Sequence, residues 1–226
     1  LLAPFLNIPF NNIGDPFVES TYGVNSLAME REVLNFFASL FRAPKDEWWG
    51  YVTNGGSEGN LYSLYLAREK YPNGIIYYSD STHYSIRKNI HVLGCESIAI
   101  KSQPNGEMDY DDFARTIEMH RNVPVIVVAN IGTTMKEACD DIKKIRKIIR
   151  NTAIQHHYIH SDAALSGVIK ALSPDAKPFD FMDGADSITI SGHKFIGSPI
   201  PCGVVIVKKA NRDRIALSIS YTGSMD

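Results

Sequence analysis

The sequence predicts an α/β fold: a parallel-dominated mixed sheet with helices packed on both of its faces. Three observations predict it. Short apolar runs of strand length recur along the chain, helix-patterned stretches separate them, and residues with reactive side chains stand where the apolar runs end. Parallel strands need crossover connections, and in such sheets ligands gather beyond the carboxyl ends of the strands.

The elements follow in chain order. The stretch to about Pro44 is the least regular, although Val24 to Phe41 carries Leu27, Leu34, Phe37 and Leu40 at helical spacing. Tyr51-Val52-Thr53 reads as a short extended piece before a glycine-rich turn. A helix then runs from Ser57 to Tyr71, with Leu61, Leu64 and Tyr65 on its apolar side. Ile75-Ile76-Tyr77-Tyr78, set off by Asn73-Gly74, is a buried strand. Helical pattern returns from about Thr82 to Leu93, followed by the strand Ser97-Ile98-Ala99-Ile100. Asp109 is the N-cap expected for a helix carrying Phe113 and Ile117. Val125-Ile126-Val127-Val128 is a fully buried strand. The helix Asp140 to Arg150 buries Ile142, Ile145, Ile148 and Ile149, with its two acids at the N-terminus as the helix dipole favours. Tyr158-Ile159-His160, Ser187 to Ile190 and Val204 to Val207 are three further strands.

Bulk properties narrow the function classes. Of the 226 residues, 44% are hydrophobic and 21% charged, enough apolar material for a core in an ordinary globular protein. A net charge of −2 gives no reason to expect nucleic acid or an anionic membrane as partner. Cys95, Cys139 and Cys202 form no CxxC pair, and an odd count argues against a disulfide framework, so a reducing cytoplasm is expected. No apolar run reaches the ~20 residues of a membrane span. The start, Leu1-Leu2-Ala3-Pro4-Phe5, lacks the charged region of a signal peptide and an initiator methionine. The end, Thr222-Gly223-Ser224-Met225-Asp226, does not read as a finished domain, so a piece cut at both ends is expected. Residues 1–50 would lead into a large domain over residues 51–226.

Four strand exits carry chemistry. In Thr53-Asn54-Gly55-Gly56-Ser57-Glu58-Gly59-Asn60, Gly56 and its neighbours allow close backbone approach, and a helix start offers free N–H groups to an anion. Ser57 adds a hydroxyl there. By itself the segment reads first as a tight turn with a serine cap, and it is neither a P-loop nor a GxGxxG fingerprint. Asp162, in Tyr158-Ile159-His160-Ser161-Asp162-Ala163-Ala164, either caps a helix or holds a protonated heteroaromatic nitrogen through a charge-assisted hydrogen bond. Ala164 is small enough for a flat ring to lie against it. Lys194, in Ser191-Gly192-His193-Lys194, would be an ordinary solvated lysine in most contexts. Semi-buried surroundings would make its amine nucleophilic, and Ser191 and His193 could donate to the anion held by the glycine-rich turn. His83 is either a capping residue or a ring stacked on another ring, or a proton shuttle. A phosphate cradle, an acid for a ring nitrogen, a stacking imidazole and a Schiff-base lysine together make a pyridoxal 5'-phosphate site.

These residues resemble the group II pyridoxal-phosphate amino-acid decarboxylases, and most closely the branch that holds bacterial histidine decarboxylases and plant serine decarboxylases. The resemblance spans nearly the whole chain. It is carried by Phe10 to Phe17 (FNNIGDPF), Thr53 to Asn60, His83-Tyr84-Ser85, Asn130-Ile131-Gly132-Thr133-Thr134, His160 to Gly167, Ser191 to Lys194, and Pro199-Ile200-Pro201-Cys202-Gly203. It implies a fold-type I, aspartate-aminotransferase-like architecture, a homodimer or higher homo-oligomer with active sites at the interface, and a C-terminal small domain absent from this chain. It also implies roles. Lys194 forms the Schiff base, Asp162 holds the pyridine nitrogen, and His83 stacks on the ring beside the substrate with Ala164 opposite. Gly56, Ser57, Ser191 and His193 take the phosphate. Thr133 and Thr134 lie near the ring without a definite role. The expected reaction is decarboxylation of an L-amino acid, with L-histidine giving histamine preferred over serine. Two readings of another class compete: a metal site at His156, His157 and His160, which lacks the HExxH pattern, and a non-catalytic nucleotide-binding α/β module.

Overall fold

A computed structural model of the chain describes Pro4, Asn7, Ile8, residues 12–220 and residues 222–225. Leu1, Leu2, Ala3, Phe5, Asp226, and Phe10 and Asn11 of the N-terminal motif lie outside the described residues. The elements run α1 (Leu27–Leu40), β1 (Trp48–Thr53), α2 (Gly56–Lys70), β2 (Ile75–Ser79), α3 (Tyr84–Leu93), β3 (Ser97–Ile100), α4 (Tyr110–Met119) and β4 (Val125–Asn130). There follow α5 (Ile142–Asn151), β5 (His157–Asp162), α6 (Gly167–Leu172), β6 (Ser187–Ser191), β7 (Gly203–Lys208), α7 (Lys209–Arg212), β8 (Ser218–Ile219) and β9 (Ser224–Met225).

The seven longer strands form one sheet in the order β1-β7-β6-β5-β4-β2-β3, and β8 pairs with β9. From β3 to β6 every neighbouring pair is parallel. β7 is antiparallel to both β6 and β1. The reason lies in the connections: segment 192–202, between β6 and β7, contains no helix to carry the chain back to the opposite edge. The carboxyl ends of β1, β2, β4, β5 and β6 therefore share one edge with the start of β7.

Both faces of the sheet are covered. On one, Leu34, Phe37, Phe113, Ile117, Ile142, Ile145 and Ile149 pack against Val125, Val127, Ile159, Ile188 and Ile190. On the other, Leu64, Ala67, Ile86 and Ile90 pack against Ile76, Ile126, Val128 and Tyr158. Burial on both sides explains why β4 reads as an unbroken apolar run, with all six residues buried.

Several boundaries differ from the sequence reading, each for a local reason. α3 begins at Tyr84 because His83 is its cap. α5 begins at Ile142 because Asp141 caps it, accepting from the Lys144 amide. Asp140 is thus outside the helix, fully buried, and accepts from the Met108 and Asn130 amides. Ile148 and Leu40 are only partly buried. Asp109 does cap α4, accepting from the Asp111 and Asp112 amides. The short elements α6, α7, β8 and β9 have too few residues for a periodic signal.

Candidate active site

α2 follows β1 after a two-residue turn at Asn54-Gly55, with Gly55 at φ +152°. No side chain caps this helix start, so its first amides stay available to an anion. Gly56 sits where β5, β6 and α2 converge: a Cβ there would lie 2.7 Å from Ser191 Oγ and 2.9 Å from Ala164 Cβ. The position admits no side chain, and backbone, hydroxyl and methyl face one another across it. His193 lies over Gly55, its Cε1 3.6 Å from where a Cβ would be, and its Nδ1–H donates to the Cys202 carbonyl at 3.2 Å.

Asp162 ends β5 as a buried carboxylate. Its Oδ2 accepts from Asn60 Nδ2 at 2.9 Å and its Oδ1 from the Ala164 amide at 3.3 Å. Burial raises its pKa above the ordinary aspartate value, against the pull of those donors and of Lys194 and His83. Such a group favours a cationic partner, because pairing offsets the desolvation of its charge.

At the end of β2 the His83 ring caps α3. Its Nδ1 is 2.8 Å from Ser85 Oγ and accepts from the Ser85 amide at 3.3 Å. The ring proton of the neutral form therefore sits on Nε2. Burial lowers the His83 pKa, with Asp162 opposing and Lys194 adding to the effect. The capping role and a ring available to the cleft coexist, since one nitrogen serves each.

A cleft of about 450 Å³ at this sheet edge is lined by Gly56, Ser57, His83, Ala164, Asp162, Ser191, His193 and Lys194, together with Thr133 and Thr134. Every site residue read from the sequence is thus brought to one cavity. One expectation about them fails: Lys194 is exposed rather than half-buried, because it stands on the open turn after β6 at the rim. Ser57 is also exposed, and its carbonyl accepts from Asn89.

Two of the further lining residues, Asn60 and Asn130, make notable polar contacts that the sequence reading did not assign. Asn60, one turn into α2, holds Asp162. Asn130 ends β4 and donates from Nδ2 to Ser79 Oγ at 3.0 Å and Asp140 Oδ2 at 3.2 Å. Both fall inside motifs visible in the sequence, and helical or strand position was the only available hint. His160 is fully buried between Ser187 and Asn60, while His156 packs on Tyr71, so the histidine trio does not converge. Among the described residues, no group of three or more His, Cys, Asp or Glu side chains could hold a metal ion.

The pyridoxal-dependent decarboxylase conserved domain matches residues 10–223. The chain is 54% identical over 222 residues to a histidine decarboxylase of Mesorhizobium japonicum, covering 98% of this chain and 60% of that protein. It is 49% identical over 227 residues to a histidine decarboxylase of Morganella morganii, covering 100% of this chain and again 60% of the relative. The chain thus spans about three fifths of the length of these relatives. Among solved structures, L-methionine decarboxylase from Streptomyces sp. 590, complexed with L-methionine methyl ester, superposes with a TM-score of 0.85 at 25% identity, covering 100% of this chain and 64% of that one.

Proposed function

This chain belongs to the pyridoxal-dependent decarboxylase family, and from that premise we propose that its cleft holds pyridoxal 5'-phosphate and that the protein decarboxylates L-histidine to histamine and CO2. The observation that carries the cofactor reading is the convergence on one edge of an uncapped helix start, a cradle that no Cβ fits, and a buried acid with a raised pKa. What supports histidine as substrate is the name shared by relatives at 54% and 49% identity.

When bound, pyridoxal phosphate supplies an aldehyde that condenses with amines and a ring that takes up the electron pair left by departing CO2. In this reading Lys194 Nζ would hold the aldehyde carbon, and the Gly56 and Ser57 amides, Ser191 and His193 would hold the phosphate. Asp162 would keep a proton on the ring nitrogen, and that contact would neutralise its buried charge. His83 and Ala164, which both line the cleft, would flank the ring. An uncharged His83 suits that place, because an imidazolium beside a protonated pyridine would add like charge.

Residues 1–50 are read as the lead into this cofactor-binding domain over residues 51–226, within a homodimer or higher homo-oligomer whose interface completes the sites. No described helix is long and apolar enough to cross a membrane. The free thiols of Cys95, Cys139 and Cys202 suit a cytoplasmic setting.

The test is CO2 release by the full-length protein from histidine, serine, glutamate and aromatic amino acids. Histidine is expected to be turned over fastest, with Lys194→Ala inactive on all of them. A preference for serine would overturn the substrate, and an active Lys194→Ala would overturn the site.

A further inference from the structure

We propose that Ser187, His160 and Asn60 form a one-way hydrogen-bond relay that positions Asp162, making His160 and Asn60 positioning residues for the cofactor's ring nitrogen. The proposal rests on the cofactor reading above and extends it to residues that do not reach the ring.

The direction of each bond follows in turn from the Asp162 carboxylate. Asn60 Nδ2 lies 2.9 Å from Asp162 Oδ2, and a carboxylate can only accept, so the amide nitrogen faces the acid and the amide oxygen faces away. That oxygen, Asn60 Oδ1, lies 2.9 Å from His160 Nε2. An amide oxygen also only accepts, so Nε2 carries the proton. His160 Nδ1 is then the acceptor and takes the hydroxyl proton of Ser187, 2.9 Å away. Ser187 and His160 are fully buried, and Asn60 is nearly so. Burial pushes the His160 pKa down to about 3, so the ring stays neutral and its tautomer is held.

The relay joins three elements: β6 through Ser187, β5 through His160 and Asp162, and α2 through Asn60. α2 also supplies the anion-binding start, so one helix sets both the phosphate end and the ring-nitrogen end of the cleft. A histidine two residues before the acid on the same strand would be unremarkable without Asn60 to connect the two.

The test uses the full-length protein loaded with pyridoxal phosphate carrying 15N at the ring nitrogen. His160→Gln keeps an N–H close to the Nε2 position and can still donate to Asn60, whereas His160→Asn is too short and His160→Leu removes the donor. In the parent and in His160→Gln the 15N signal should sit at the protonated-pyridine position. In His160→Asn and His160→Leu it should move toward free pyridine, with kcat falling roughly ten- to a hundred-fold, as is typical when an outer partner is removed, and KM little changed. If His160→Leu fails to fold, the Gln and Asn pair decides, since both bury a similar polar group. Equal signals and equal kcat in these two would overturn the relay. Capture of the cofactor at Lys194 by borohydride in the parent checks the underlying reading separately: without it, the cofactor site fails and the relay's role falls with it.

Discussion

At the exit of β2, the His83 imidazole accepts the Ser85 amide at Nδ1, and protonation of that nitrogen would break the cap. Together with burial, this opposes charging the ring. The folded protein should therefore bind the His83 proton less readily than the unfolded chain. That stabilising contribution is present above the ordinary histidine value of ~6.5 and is lost as pH falls through the lower folded-state value. An NMR titration should place the His83 midpoint below ~6.5, and a midpoint above it would contradict a ring held neutral by burial. Among single residues, the placement of Asp162, Lys194 and His83 at the cleft was legible in the sequence, because each follows its own strand. Asn60 and His160 were not, because their partners are 102 and 100 residues away along the chain. The exposure of Lys194 was equally hidden, since it depends on what packs over the turn after β6.

α2 is the element on which the cleft depends, because its first turn meets β5 and β6 with no room to spare. Gly56→Ala should weaken pyridoxal phosphate binding by about tenfold or more, the equivalent of the ~1–3 kcal/mol that overpacking costs. Helix propensity alone would act the other way, since alanine favours a helix by about 1 kcal/mol over glycine. A binding titration alongside a thermal melt separates the two, and a more stable protein with unchanged affinity would show the cradle to be slack. Element type followed from periodicity, as for β3 at Ser97–Ile100, whose bounds match the apolar run. Element starts were harder wherever a polar residue caps from outside, as His83 and Asp141 do.

Across the whole molecule, the N-terminal segment is tied to the far end of the chain by one buried acid. Asp15 accepts from Trp49 Nε1 at 3.1 Å, from Arg212 Nη2 at 2.7 Å and from the Phe17 amide at 2.9 Å. Arg212 in turn lies 4.9 Å from the centre of the Trp49 ring. The Gly14-Asp15-Pro16 part of the family motif therefore has a structural explanation that its sequence did not reveal, with its partner 197 residues away. Asp15→Ala would take one carboxylate from Arg212, which keeps Asp213 at 3.3 Å, and would remove the acceptor of the Trp49 indole N–H, so it should lower stability by about 1–3 kcal/mol, read as a shift in the urea midpoint at unchanged slope. A shift under ~1 kcal/mol would mean the pair is solvated in solution. Whether this cleft holds pyridoxal phosphate on Lys194 is decided by borohydride reduction of the cofactor-loaded protein followed by peptide mapping. A stable adduct is expected on the peptide containing Lys194, and an adduct on another lysine, or none, would contradict the assignment.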